Sequence, residues 1–349
     1  MTHNCEVYMK QNAIFMAPMT TWSSNPDLTV SSDELNYYRE RAHNVDYVVT
    51  ACTFLQKNYQ SFEGQFFAGS DEYLPSLGSL ANAIHKGGAK AILQVHTPGR
   101  MISLEMQNKL GIDIVSSSPI RPEREGYKTP RELKPEEIKS IVKSYYEVTI
   151  RAIKAGFDGI EIHGANTYLP QQFISPLTNR RSDAYGLDRL LFVKELIEAV
   201  ERARDDAKAH QFIIGYRFSP EEREEGGLRL EHTFTLLDFL CHSGVNYLHV
   251  SLESFDRKSY FDNTVIATSL LEKIAGRKPL VGVGKIRNKE DVESALKLGY
   301  DHVAIGTALL LNPNWIDTAK PIVEITEESI PEDIPPAMRT ILLDVFSKF

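Results

Sequence analysis

Three polar side chains fall within six residues of one another just past a short apolar run: His163, Asn166 and Tyr168 follow the segment 157–162. That run alternates apolar with small or acidic residues and carries Ile160 and Ile162, the pattern of a short buried strand. An imidazole, an amide and a phenol at a strand's C-terminal end can hold a polarised oxygen and move a proton. Other strand ends carry related groups. Gln94 lies in the run before His96, and its amide can both donate and accept. Arg217 ends the run 212–218; an arginine directed into a barrel is costly unless paired, and Glu161 is an available carboxylate. Gly284 and Lys285 follow one later run, Gly306 and Thr307 another. In a parallel barrel the ends of strands seven and eight form a phosphate cradle.

Plainer readings stand beside these. His163 and Asn166 could join Glu161 around a metal, since residues two apart on a strand share a face. No second His or Asp cluster follows a metal spacing, so no metal site is expected. Ala17-Pro18-Met19-Thr20-Thr21-Trp22 could be a strand ending in a proline turn, with Trp22 in the core. Gln94 could serve only the backbone. Gly282-Val-Gly284-Lys285-Ile-Arg287 begins like a dinucleotide fingerprint, but Arg287 stands where the third glycine belongs. Lys285 and Arg287 could be solvated charges at a helix entry.

Placing these residues requires a scaffold of many short strands. Apolar runs at 13–17, 47–51, 91–95, 159–163, 212–218, 247–251, 280–283 and 302–305 alternate with amphipathic stretches at 32–43, 74–86, 135–155, 188–210, 230–243, 265–275 and 288–298. Eight strands alternating with helices predict a (β/α)₈ barrel in one domain, 1–349; a doubly wound sheet is the alternative. Pro135 followed by Glu136 and Glu137 marks a helix start. Ala155-Gly156, Ser243-Gly244 and Leu298-Gly299 mark helix stops. The one long irregular stretch, 97–130, is expected to cap the barrel after strand three.

Composition narrows the function classes. The 349 residues are 42% hydrophobic and 25% charged, ordinary for a globular chain. The formal net charge is −8 with no basic block, which argues against nucleic acid as the main partner. Three widely spaced cysteines, Cys5, Cys52 and Cys241, offer no disulfide framework, zinc ribbon or iron–sulfur run. No apolar run is long enough to span a bilayer and no signal peptide is visible, so a cytoplasmic enzyme acting on a small molecule is expected.

The segment 161–186 resembles the signature of the Old Yellow Enzyme family of FMN-dependent ene-reductases, in its bacterial branch. That pattern runs Glu-Ile-His-Gly-Ala-(His/Asn)-Gly-Tyr-Leu, then Gln-Phe, Ser-Pro, Asn-x-Arg and Asp-x-Tyr-Gly. Glu161, His163, Gly164, Ala165, Asn166, Tyr168, Leu169, Gln172, Phe173, Ser175, Pro176, Asn179, Arg181, Asp183, Tyr185 and Gly186 stand at the matching places. Thr167 replaces a glycine. The likeness runs in order from about Asn12 to Trp315.

The resemblance implies noncovalent FMN, with NADH or NADPH as hydride donor. It would lay Ala17, Pro18, Met19 and Ala51 along the flavin, put the Thr20 hydroxyl at its O4, Gln94 on the pyrimidine edge and Arg217 at N1 and O2. Trp22 would wall the substrate pocket, His163 and Asn166 would bind the substrate's carbonyl or nitro oxygen, and Tyr168 would protonate the α-carbon. Gly284, Lys285, Gly306 and Thr307 would hold the phosphate. The family has arginine where Thr307 stands, so a charge-assisted phosphate contact is missing; Lys285 is the first candidate to replace it and Arg287 the second. The implied reaction is ping-pong reduction of an α,β-unsaturated carbonyl or a similar electron-poor alkene. The rivals are an FMN barrel dehydrogenase of another substrate class and a barrel without flavin. Family members usually carry a β-hairpin ahead of the first barrel strand, and only about a dozen residues precede it here. A homo-oligomer is left open; the tail 334–341 does not match the bacterial pattern in which an arginine completes a partner's site.

Overall fold

The computed structural model describes residues 9–318 and 326–346. The question of a lid on the barrel floor falls partly on residues 1–8, outside the described residues.

Eight parallel strands close into a barrel. They are β1 (Ile14–Met16), β2 (Tyr47–Val49), β3 (Lys90–His96), β4 (Gly159–Gly164), β5 (Ile213–Phe218), β6 (Tyr247–Val250), β7 (Leu280–Val283) and β8 (His302–Ile305). Each pairs with the next in chain order, and β8 closes on β1 through Ile14 against Val303. Seven helices fill the crossovers: α1 (Ser32–Arg41), α2 (Leu74–Gly87), α3 (Pro135–Lys154), α4 (Leu191–Asp206), α5 (Leu230–His242), α6 (Ile266–Ile274) and α7 (Lys289–Leu298). The predicted barrel is therefore present, with strand limits shifted by a few residues, and the doubly wound alternative is excluded by closure.

The strands are short and apolar because both faces are covered, by helices outside and side chains inside. Phe15, Tyr47, Val49, Ile92, Ile213, Val281, Val283 and Ala304 fill the interior. Helix ends follow the expected chemistry in three of four places. Pro135 opens α3 with Glu136 and Glu137 in its first turn, and Gly156 and Gly299 take left-handed backbone where their helices stop. Gly244 differs. Ser243 leaves α5 in an extended conformation. There the Glu201 carboxylate accepts the Gly244 N–H at 2.6 Å.

The long stretch after β3 holds a short helix, Leu104–Leu110, and a small apolar cluster of Ile102, Met106 and Ile114. Val115–Ser116 pairs in parallel with Arg131–Glu132 beside it.

Candidate active site

The sequence-predicted residues divide between two neighbouring places at the C-terminal end of the barrel. The first is a cavity of about 560 Å³ over β1, β7 and β8. Ala17, Pro18, Met19, Arg217, Gly284, Lys285, Gly306 and Thr307 all line it. Arg287, the second candidate cation, lines it too, and Val283, Ile286, Ala304, Ala308 and Glu253 complete the wall; these last five were not singled out in the sequence, where isolated residues of these types carry no signal. The cavity's size suits a cofactor-sized molecule.

Glycine is required at Gly284, whose φ is +110° and whose Cβ would come within 2.6 Å of the Leu252 carbonyl oxygen. At Gly306 a side chain would grow toward Met19 Sδ and Ala17, which line the cavity. Lys285 is exposed, at φ +50°, and makes no ion pair among the described residues. Arg287 is already engaged, its Nε lying 3.4 Å from Asp291 across one helical turn.

The second place is a polar network inside β3–β6. Gln94 and Glu161 are register partners, and Gln94 Nε2 donates to Glu161 Oε1 at 2.7 Å. Tyr247 Oη donates to Glu161 Oε2 at 2.8 Å, and His249 Nδ1 lies 2.9 Å from the same oxygen. Tyr247 can enter the barrel because Gly215 has no side chain; a Cβ there would meet its ring at 2.2 Å. Burial pushes the Glu161 carboxyl up, but His249, the Arg217 charge and Gln94 outweigh that and hold it below the ordinary carboxylate range. His249 is pushed down, by burial above all, so its Nδ1–H is the proton on the ring and Nε2 is left without a partner.

Arg217 is in register with His163 and with His249. It reaches no carboxylate at ion-pair distance among the described residues. Its Nη2 donates to Ser251 Oγ at 3.1 Å, and its Nε is buried without a hydrogen-bond partner. The paired alternative thus reduces to an unbonded attraction to Glu161, and the guanidinium faces the cavity with donor capacity unused. Among the described residues no three His, Cys, Asp or Glu side chains gather around a metal position.

His163, Asn166 and Tyr168 adjoin this network. His163 Nδ1 accepts the Ala165 N–H at 3.3 Å. Burial first, then the Arg217 charge, pushes the imidazole well below its ordinary range. A neutral ring whose Nδ1 accepts must carry its proton on Nε2, which is therefore a donor. Asn166 Oδ1 accepts from Ser251 Oγ at 3.0 Å, leaving Nδ2 to donate. Asn166 and Thr167 both take left-handed backbone, φ 54° and 61°, so the missing family glycine leaves a β-branched residue in a strained conformation. Tyr168 stands edge-on to His163 and His96, with ring centroids 4.8 and 4.1 Å away, and burial raises its phenol above the ordinary range.

His96 is buried and bonded to Ser61 Oγ at 2.8 Å. Ala51 is buried, its N–H given to the Tyr38 phenol at 2.7 Å. Thr20 is half-buried directly after the cavity residue Met19. Trp22 is half-buried at φ 50°, its backbone against Gly64 and its ring 6.0 Å from Phe62. Ser251, which joins Arg217 to Asn166, was missed; a serine at a strand end carries no signal of its own.

FMN fits this arrangement. The unpartnered Arg217 Nε offers an anionic ring a donor, and Gly306, whose side chain would grow toward the cavity residues Met19 and Ala17, leaves room for a phosphate.

Comparison with known proteins agrees. The profile of the NADH:flavin oxidoreductase / NADH oxidase family matches residues 7–324. A probable NADH-dependent flavin oxidoreductase, YqiG, of Bacillus subtilis is 39% identical over 310 residues, 87% of this chain and 82% of that protein. An NADH:fumarate oxidoreductase of Klebsiella pneumoniae is 39% identical over 87% of this chain, which spans only 34% of that protein. Among solved structures, the Old Yellow Enzyme homologue of Zymomonas mobilis superposes with a TM-score of 0.77 over 93% of this chain and 94% of that one, at 22% identity, a likeness of fold. The chain belongs to the NADH:flavin oxidoreductase / NADH oxidase family, and is an FMN-using, nicotinamide-dependent oxidoreductase.

Proposed function

We propose that this enzyme reduces electron-poor C=C bonds, α,β-unsaturated carbonyls or similar, in a ping-pong cycle with NADH or NADPH. The observation that carries the reading is the donor polarity of the pocket: internal bonds occupy His163 Nδ1 and Asn166 Oδ1, leaving two donors beside the Tyr168 phenol. Bound FMN supplies hydride transfer in both half-reactions. His163 Nε2–H and Asn166 Nδ2–H hold the substrate oxygen and stabilise the charge that develops on it. Tyr168 delivers the proton to the α-carbon; its raised pKa keeps the phenol protonated at neutral pH. Ala17, Pro18, Met19, Thr20, Ala51, Gln94 and Arg217 contact the isoalloxazine, Trp22 walls the substrate side, and Gly284, Lys285, Gly306 and Thr307 hold the phosphate.

Relatives named NADH:fumarate and NADH:acrylate oxidoreductase support an alkene conjugated to a carboxylate as one substrate class. This chain spans about a third of each, so their activities are those of larger proteins. The segment 97–130 is proposed to cap the site. Among the described residues no helix is long and apolar enough to cross a membrane.

The purified protein is expected to be yellow with one FMN per chain, to bleach with NADH or NADPH under anaerobic conditions, and to regain colour on adding an α,β-unsaturated carbonyl. A reduced protein that no member of an enone, enoate and nitroalkene panel reoxidises would overturn the substrate class. Absence of flavin affinity would overturn the whole reading.

A further inference from the structure

The two ends of the Asn166 amide do opposite things, and a donor toward a substrate oxygen requires Nδ2, not Oδ1, to face the pocket. The backbone of Asn166 is fixed by its N–H, which Ser219 Oγ accepts at 2.9 Å. That bond leaves the amide free to turn over. The choice is made by Ser251, just past the end of β6. Arg217 Nη2 donates to Ser251 Oγ at 3.1 Å, and a guanidinium can only donate. The Ser251 oxygen is therefore an acceptor on that side, and its single proton goes to Asn166 Oδ1 at 3.0 Å. A reversed Asn166 would set Nδ2–H on the hydroxyl's second lone pair and take away the Oδ1 acceptor that the hydroxyl proton has here.

We propose that Ser251 is a positioning residue: it converts the fixed donor polarity of Arg217 into a fixed orientation of the Asn166 amide, so that Asn166 meets the substrate oxygen as a donor. The proposal rests on Asn166 as an oxygen-binding residue. Ser251 itself touches neither alkene nor reacting proton in this scheme. Its hydroxyl links the side chain assigned to the flavin with one assigned to the substrate.

The test uses the FMN-loaded protein and phenol, whose oxygen imitates an enolate, titrated through the perturbation of the flavin absorption band. Ser251→Ala should weaken phenol about three- to tenfold, the effect of one lost hydrogen bond, while one FMN per chain is retained. Ser251→Thr keeps the hydroxyl and should restore most of the affinity. In an Asn166→Ala background, Ser251→Ala should add nothing, because the residue through which it acts is gone. Unchanged phenol affinity in Ser251→Ala would overturn the positioning role. So would a further loss in the Asn166→Ala background, which would mean that Ser251 acts directly. A parent protein that holds FMN but no phenol would instead remove the proposed oxygen site, and this role with it.

Discussion

On the β3–β6 side of the barrel mouth, Gln94 and His249 orient the Glu161 carboxylate, and His163 and Arg217 stand beside them in register. On the β7–β8 side, Gly284 and Gly306 contribute no side chain, and Thr307 brings a hydroxyl but no charge. The first side selects by the direction of each hydrogen bond. Its members lie in low dielectric, where an unpaired polar group is costly, so the bonded ones are held by their neighbours. The second side works by leaving space and presenting backbone. Such a surface depends on side-chain identity only where a Cβ would intrude or where a mobile cation lends charge. The difference teaches that a charge is more readily supplied from elsewhere on the β7–β8 side than any group of the β3–β6 network would be.

The sharpest way to break this contrast is at Tyr168. Tyr168→Phe removes the proton but keeps the ring against His96 and His163. Alkene reduction should slow by roughly 10²–10⁴-fold while flavin reduction by nicotinamide continues. Stopped-flow measurement of the two half-reactions separates them; an unchanged oxidative half-reaction would make water the proton donor.

A smaller effect is expected on the backbone side. Lys285→Ala should weaken FMN by about 10- to 100-fold, the worth of one charge-assisted contact of roughly 1.5–3 kcal/mol. Arg287→Ala should matter less, because Asp291 already engages that guanidinium. Fluorescence titration of the apoprotein with FMN reads both, and two variants that bind like the parent would leave the phosphate to backbone alone.

The mildest effect concerns acid. Burial pushes His96 down to about 3 from an ordinary 6.5. Between those values the unfolded chain holds a proton that the folded chain excludes, so stability falls as pH drops through the window. The slope is up to about 1.4 kcal/mol per pH unit. His96→Gln should flatten the loss seen in urea unfolding between neutral and mildly acidic pH. A parent-like slope in that variant would place the acid sensitivity elsewhere, His163 being the next buried candidate.

Much of this molecule was legible in its residues. Apolar runs spaced by amphipathic stretches gave all eight barrel strands, because a strand covered on both faces must be apolar and a helix packed on one face must be striped. His163, Asn166, Tyr168, Gln94 and Arg217 were legible because costly polar residues at strand ends stand out against such runs. The partners of those residues were not. Tyr247, His249 and Ser251 lie 30 or more residues along the chain from the groups they bind, and meet them only when β4, β5 and β6 come into register. Gly244 shows the same limit on a small scale: its place after a helix was readable, but the Glu201 carboxylate that accepts its N–H arrives from another helix. The sequence by itself determined which groups stand at the barrel mouth, since strand periodicity and residue chemistry are local. Only the tertiary structure decided which end of each group is left free, because a hydrogen bond's direction is settled by whatever non-local partner has already taken the other end.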